Sequence, residues 1–236
     1  MVLTLRLFCK FIPKRQFQQR ILIVNSKKMS EREACIRPLA EKGIADAQFS
    51  LGEMYENGID GLPEDGSQAK KWYEKAALQG HAEAQYALAW LYDEGEKIPE
   101  NTDKAIYWYT KASDQGHSMA HLGLGVLHEQ GLGIPQNYAL AARHFLRAAE
   151  ANLSMAQLWL GRLYEKGLGV PKDDELAAYW YRRSAENEDN DGQVALARCY
   201  EQGIGVPQNI HTAMDWYAKA AALGNEKAQV KIGKKA

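Results

Sequence analysis

Five prolines set the register of this chain: Pro63, Pro99, Pro135, Pro171 and Pro207 stand 36 residues apart. The same spacing separates Asp65, Asn101, Asn137, Asp173 and Asn209. It also separates Trp72, Trp108, His144, Trp180 and Trp216, each followed by Tyr73, Tyr109, Phe145, Tyr181 or Tyr217. A fixed period of this length marks a stacked repeat, in which one supersecondary unit buries its apolar face only against the next. Domain counting from a length of 236 residues therefore does not apply.

Each unit reads as a helix pair. In the second, Ala84, Leu88, Leu91 and Tyr92 recur at helical spacing, and Gly95 ends that helix because glycine takes φ > 0 freely. Pro99 follows a short loop, Asn101 is an N-cap candidate, and Ala105, Trp108, Tyr109 and Ala112 form the next apolar side until Gly116. Full units run over 45–80, 82–116, 118–152, 154–188 and 190–224, with a half unit over 30–43 and another over 225–236. Ser30 with Glu33 three residues on is a capping-box pattern opening the first helix, and Pro38 should kink or shorten it. The loop from Gly58 to Pro63 carries one extra residue. At the fourth junction Glu188 replaces the stop glycine, acids gather, and Gly192 replaces an alanine. This predicts the softest joint of the stack.

The pattern resembles the Sel1-like repeat, a relative of the tetratricopeptide repeat. In the fourth unit the matching residues are Ala156, Leu160, Gly161, Tyr164, Gly167, Gly169, Val170, Asp173, Ala177, Trp180, Tyr181 and Ala185. The third unit departs most, with His128 in the tyrosine slot and His144-Phe145 for Trp-Tyr, and should pack less tightly. The resemblance implies an all-α, right-handed α-solenoid of stacked helix-turn-helix repeats that acts as a scaffold or adaptor. Some cysteine-rich bacterial relatives carry one disulfide per unit and were linked to penicillin binding. This chain has only Cys9, Cys35 and Cys199, with no pair in any repeat, so that activity is not carried over.

Net charge is −1, but residues 1–30 hold seven basic residues and no acid, leaving 22 basic against 30 acidic residues in the rest. That acidic body argues against nucleic acid as a partner. Residues 1–28 read as a basic tail outside the repeat, ahead of a repeat region over 29–236. The expected compartment is cytoplasmic, with export or organelle targeting through residues 1–28 as the alternative. No apolar run reaches the roughly 20 residues that a membrane span needs.

Little else points to chemistry. Gly131-Leu132-Gly133, Gly167-Leu168-Gly169 and Gly203-Ile204-Gly205 follow a helix and precede a proline, the reverse of a dinucleotide loop, and read as turns. Cys199 has only His211 in its unit as a base, with no orienting third group, and reads as an inert thiol. His117, His121 and His128 are the histidine cluster, but two of them fill repeat slots, so no metal, cofactor or catalytic site is expected. The Trp-Tyr pairs, in strict phase with alanines, read as core.

The groove is the candidate site. By resemblance to tetratricopeptide arrays, first-helix positions line the inner face. They form one row of Phe49, Tyr86, Leu122, Leu158 and Val194, and a second of Glu53, Trp90, Val126, Arg162 and Arg198. A third row is Glu56, Asp93, Glu129, Glu165 and Glu201. An apolar row beside an acidic one suits another protein's segment with Lys or Arg flanking an apolar anchor. The expected function is a non-enzymatic protein–protein interaction scaffold. The alternatives are an enzyme or small-ligand-binding protein using the groove, and a metal-binding structural repeat resting on the histidines.

Overall fold

The computed structural model describes residues 26–233, so the expectations for the tail up to residue 25 and for the last three residues of the terminal half unit lie outside the described residues. Among those residues there are twelve helices and no strand. The chain divides into two compact units, one ending at Gln115 and one starting at Gly116.

The first unit holds α1 (Ser26–Glu41), α2 (Ala45–Asn57), α3 (Gly66–Leu78), α4 (Ala82–Glu94) and α5 (Thr102–Asp114). Helix α1 starts at Ser26, so Ser30 lies inside it rather than capping it. Pro38 also sits inside, and the helix runs on past it to Glu41. The extra loop residue before Pro63 is absorbed by two left-handed positions, Asp60 (φ 59°) and Gly61 (φ 83°). Asp60 is buried there, 3.5 Å from the Arg32 guanidinium.

The second unit holds α6 (Ser118–Gln130), α7 (Tyr138–Glu150), α8 (Ser154–Lys166), α9 (Asp174–Glu186), α10 (Asn190–Gln202), α11 (Ile210–Ala222) and α12 (Glu226–Gly233). In both units consecutive helices pack as hairpins, each against the next.

Local residue types write the helix ends. Asp65, Asn101, Asn137, Asp173 and Asn209 cap the second helices, accepting from the backbone N–H three residues on at 2.9–3.1 Å. Gly58, Gly95, Gly131, Gly167 and Gly203 end the first helices in the left-handed conformation. In three of the hairpins, the aromatic after the Trp slot lies flat on a first-helix glycine. A Cβ on Gly52 would meet the Tyr73 ring at 2.5 Å, and one on Gly161 the Tyr181 ring at 2.7 Å. Gly125 accepts Phe145 in the same way, so the third repeat packs as closely there as the first and fourth.

A second device runs between hairpins. The buried Gln48, Gln85, Gln157 and Gln193 each donate to a carbonyl of the preceding helix, at Ala40, Ala77, Ala149 and Ala185. Three of them also accept from an amide after the next second helix, Gln79, Gln115 or Asn187.

The fourth junction is better closed than its sequence implies. Glu188 takes the left-handed conformation (φ 60°) that glycine supplies elsewhere. Asp189 caps α10 through Gly192 N–H at 2.7 Å. Gly192 is no weak point: a Cβ there would lie 2.3 Å from Ser184 Oγ, so its smallness fits the serine.

Candidate functional site

In the first unit the row residues come to one half-buried first-helix surface. Phe49 on α2 stacks on His81 at 5.0 Å and lies 5.6 Å from the Tyr73 ring. On α4, Tyr86 lies 6.0 Å from the Tyr109 ring, and Trp90 is half-buried. The carboxylates beside them are not a bare line of charge. Glu56 accepts from the Tyr73 hydroxyl at 2.7 Å and Asp93 from Tyr109 at 3.2 Å. Burial pushes the Tyr73 phenol well up, so it stays a donor. Burial, aided by the charges of Glu56 and Glu83 and opposed by Arg32, also raises the Glu53 carboxyl above its ordinary range.

The second unit corrects the first row. Leu122 and Leu158 are 6% and 5% exposed and belong to the core, because these helix positions turn toward the adjoining helix. Val126 packs partly on that core, and Val194 is half-buried on α10. The basic members have neighbours: Arg162 sits 5.0 Å over the Trp159 ring, and Arg198 bonds Glu165 at 2.6 Å.

The acidic row is likewise occupied. Glu165 accepts from Tyr181 at 2.6 Å. Burial alone would raise its carboxyl, but Arg198 and the Tyr181 hydroxyl outweigh that and hold it below the usual range. Glu201 accepts from Tyr217 at 3.0 Å and pairs with Lys231 at 2.7 Å. Glu129 is the exception, since its partner slot holds Phe145, which has no hydroxyl. Burial raises its carboxyl against Gln130, Lys166 and Arg162. The tyrosine and acid rows share one period, so this pairing was readable from the spacing and is the feature that sequence reasoning missed.

Val194, Arg198 and Glu201 do more than share a helix. With Ala213, Met214 and Tyr217 of α11 and Val230 and Lys231 of α12, they line a cleft of about 910 Å³. Its floor is apolar and its rim carries both signs of charge. Val230, on the short last helix, is 54% exposed.

The other candidates fall into structural roles. Cys199 is fully buried, and burial, only partly offset by Arg198, pushes its thiol up to about 11, so it stays protonated and unreactive. The glycine turns are packing devices. Gly169 has φ 70°, and a Cβ there would lie 2.2 Å from the Tyr138 carbonyl carbon. His117 caps α6, its Nδ1 accepting from Ala120 N–H at 3.2 Å. His121 and His128 converge instead on His144. Among the described residues no group of three His, Cys, Asp or Glu side chains is arranged to hold a metal ion. No helix among them is long and apolar enough to cross a membrane.

The family model for the Sel1 repeat matches five consecutive segments, residues 45–81, 82–117, 118–153, 154–189 and 190–225. The structure is similar to that of c5321, a protective antigen of uropathogenic Escherichia coli strains displaying an SLR fold. The TM-score is 0.84 at 34% identity, over 87% of this chain and 44% of the antigen. It is also similar to a Sel1 repeat protein from Oxalobacter formigenes, with a TM-score of 0.79 at 35% identity over 86% of this chain and 80% of that one. A stretch of 57 residues is 39% identical to chitin synthase regulatory factor 3 of Schizosaccharomyces pombe, covering 24% of this chain and 6% of that protein. The chain thus spans less than half the length of the antigen and a small part of the regulatory factor.

Proposed function

The chain belongs to the Sel1-repeat family, whose members mediate protein–protein interaction and are typically non-catalytic, and from that premise we propose that it is a scaffold that recruits another protein through its first-helix surfaces. The observation that carries this reading is the cleft of about 910 Å³ between α10, α11 and α12. Three of its lining residues, Val194, Arg198 and Glu201, belong to the three repeating rows. An apolar floor with a charged rim is the composition of an interface centre, where a bulky side chain is desolvated and the charges around it set orientation.

The partner's chemistry follows from the rows. A bulky apolar residue seats on Val194, Met214, Tyr217 and Val230. In the first unit, Phe49, Tyr86 and Trp90 lie beside Glu53, Glu56 and Asp93, which suits Lys or Arg flanking an apolar anchor. The name of the fungal regulatory factor is in keeping with such a role.

Affinity capture with the full chain, followed by mass spectrometry, tests this against two variants. Val230→Glu puts charge at an exposed cleft position, and Trp90→Ala removes the half-buried aromatic of the first unit. A partner bound by the wild type and lost with one variant, while both variants melt as the wild type does, supports the reading. A partner retained at native affinity by both variants places its contact elsewhere.

A further inference from the structure

We propose that two copies of this chain join head to tail, with α12 of one copy and α1 of the next completing a hairpin between them. The repeat register carries the argument, because the two helices hold complementary places in it. Helix α12 starts 36 residues after α10 and stands in a first-helix place. Its Gln229 donates to Ala221 O as Gln157 does to Ala149 O, and Ala228 is buried in the core that α11 supplies. Helix α1 stands in a second-helix place. Counting back 37 residues from the first repeat, Cys35, Ile36, Leu39 and Ala40 fall where Trp72, Tyr73, Ala76 and Ala77 stand. Among the described residues no helix precedes α1 and none follows α12.

The face of α12 that a second helix covers elsewhere is open. Val230 continues the row of Phe49, Tyr86, Leu122, Leu158 and Val194. Those five are buried or half-buried, whereas Val230 is 54% exposed. One turn on, Gly233 continues the slot of Gly52, Gly125 and Gly161. On each of those three an aromatic ring of the second helix lies close, but a Cβ on Gly233 would meet nothing within 4 Å.

The matching face of α1 is open too. Its other side is closed on α2, where Gln48 donates to Ala40 O and Ala40 packs with Ala47 and Leu51. The places of Trp72 and Ala76 are buried in the first repeat. On α1 they hold Cys35, which is exposed, and Leu39, which is 42% exposed.

The two open faces answer each other place by place. Ile36 stands where the aromatic that covers the glycine stands, and Gly233 is the uncovered glycine. Cys35 and Leu39 bring apolar surface to Val230. Lys42 falls in the place of Gln79, which donates to Gln48 Oε1, so the joint sets a donor beside Gln229 as well. The joint thus continues the hairpin contact made five times within the chain. It pairs two unlike faces, so it is heterologous and each added copy presents the next open face. With only the eight residues of α12 on one side, it belongs to the weak class of interfaces below roughly 1,200 Å².

Sedimentation velocity of the full chain tests this, in reducing buffer so that Cys35 forms no disulfide. The wild-type mass should rise from one chain to two or more as the concentration increases to about 1 mM. Gly233→Glu puts bulk and charge on the α12 face. Gly233 does not line the cleft between α10, α11 and α12, so this variant leaves the proposed recruiting surface intact. Leu39→Glu does the same to the α1 face, and Cys35→Glu replaces it if that chain melts early. Each variant alone should stay monomeric. Their equimolar mixture should form a dimer and nothing larger, because each keeps the face that the other has lost. A wild type that is monomeric throughout overturns the proposal, as does a mixture that does not pair. Association lost with Gly233→Glu but kept with the α1 variant would mean that α12 pairs with α12, and also overturns it.

Discussion

Ser184 and Gly192 occupy slots that hold two alanines at the other junctions, such as Ala148 and Ala156. The larger residue on one helix is matched by the smaller on the next, and both are buried. A Cβ on Gly192 would meet Ser184 Oγ at 2.3 Å and Ser184 Cβ at 2.7 Å. Gly192→Ala alone should therefore destabilise by about 1–3 kcal/mol through overpacking. Combined with Ser184→Ala, which also removes a buried hydroxyl lacking a partner, the penalty should shrink. Urea denaturation of both single variants and the double should give a coupling of at least about 0.5 kcal/mol. Simple additivity would mean that the two residues do not compensate each other. A second residue breaks the amide ladder. Gln193 donates to Ala185 O at 3.3 Å, but its Oε1 is buried without a partner, because Leu223 stands where Gln79, Gln115 and Asn187 stand in other repeats. Leu223 is 50% exposed, so Leu223→Gln loses little apolar burial and supplies the missing donor. It should raise stability by about 0.5–1.5 kcal/mol, and a lower urea midpoint than wild type would contradict the ladder.

At the scale of elements, what repeats locally was legible and what depends on a neighbour was not. Helix ends were readable because Asn101 or Gly167 encodes its own cap or stop. The Trp-Tyr slots were readable as core because they keep phase with alanine. Trp180, 9% exposed, packs with Leu160 and Leu163 of α8, so Trp180→Ala should cost about 3–5 kcal/mol. A melting temperature indistinguishable from wild type would remove it from the core. The start of α1 was misread because a capping pattern at Ser30 is a local signal inside a longer helix. Leu122 and Leu158 were placed on the open surface because the period says which residues share a face, not how far the adjoining helix covers it. The acidic row was recognised, but its tyrosine partners come from the other helix of each hairpin and emerge only once both rows are laid side by side.

For the molecule as a whole, a net charge of −1 conceals a body with 22 basic and 30 acidic residues beyond residue 30. Surface carboxylates attract a cationic partner over a Debye length of about 8–10 Å, so their effect belongs to the association rate and fades with salt. Which carboxylates act is decided by their occupancy. Glu165 and Glu201 are engaged by Arg198, Lys231 and tyrosine hydroxyls, so reversing them would disturb packing as well as charge. Glu53 and Glu129 have no tyrosine hydroxyl, and burial raises both carboxyls, so a cation placed beside them relieves a real electrostatic penalty. Neutralising both as Glu53→Gln and Glu129→Gln should slow association with a captured basic partner several-fold at low salt. The dissociation rate should stay nearly unchanged. Val230→Glu, in the cleft, should act the other way, speeding dissociation because apolar anchors govern residence time. Stopped-flow or surface-binding kinetics at two salt concentrations separates the two effects. An on-rate that ignores both salt and the double neutralisation would leave these carboxylates as ordinary surface, and recognition would then rest on the apolar cleft alone.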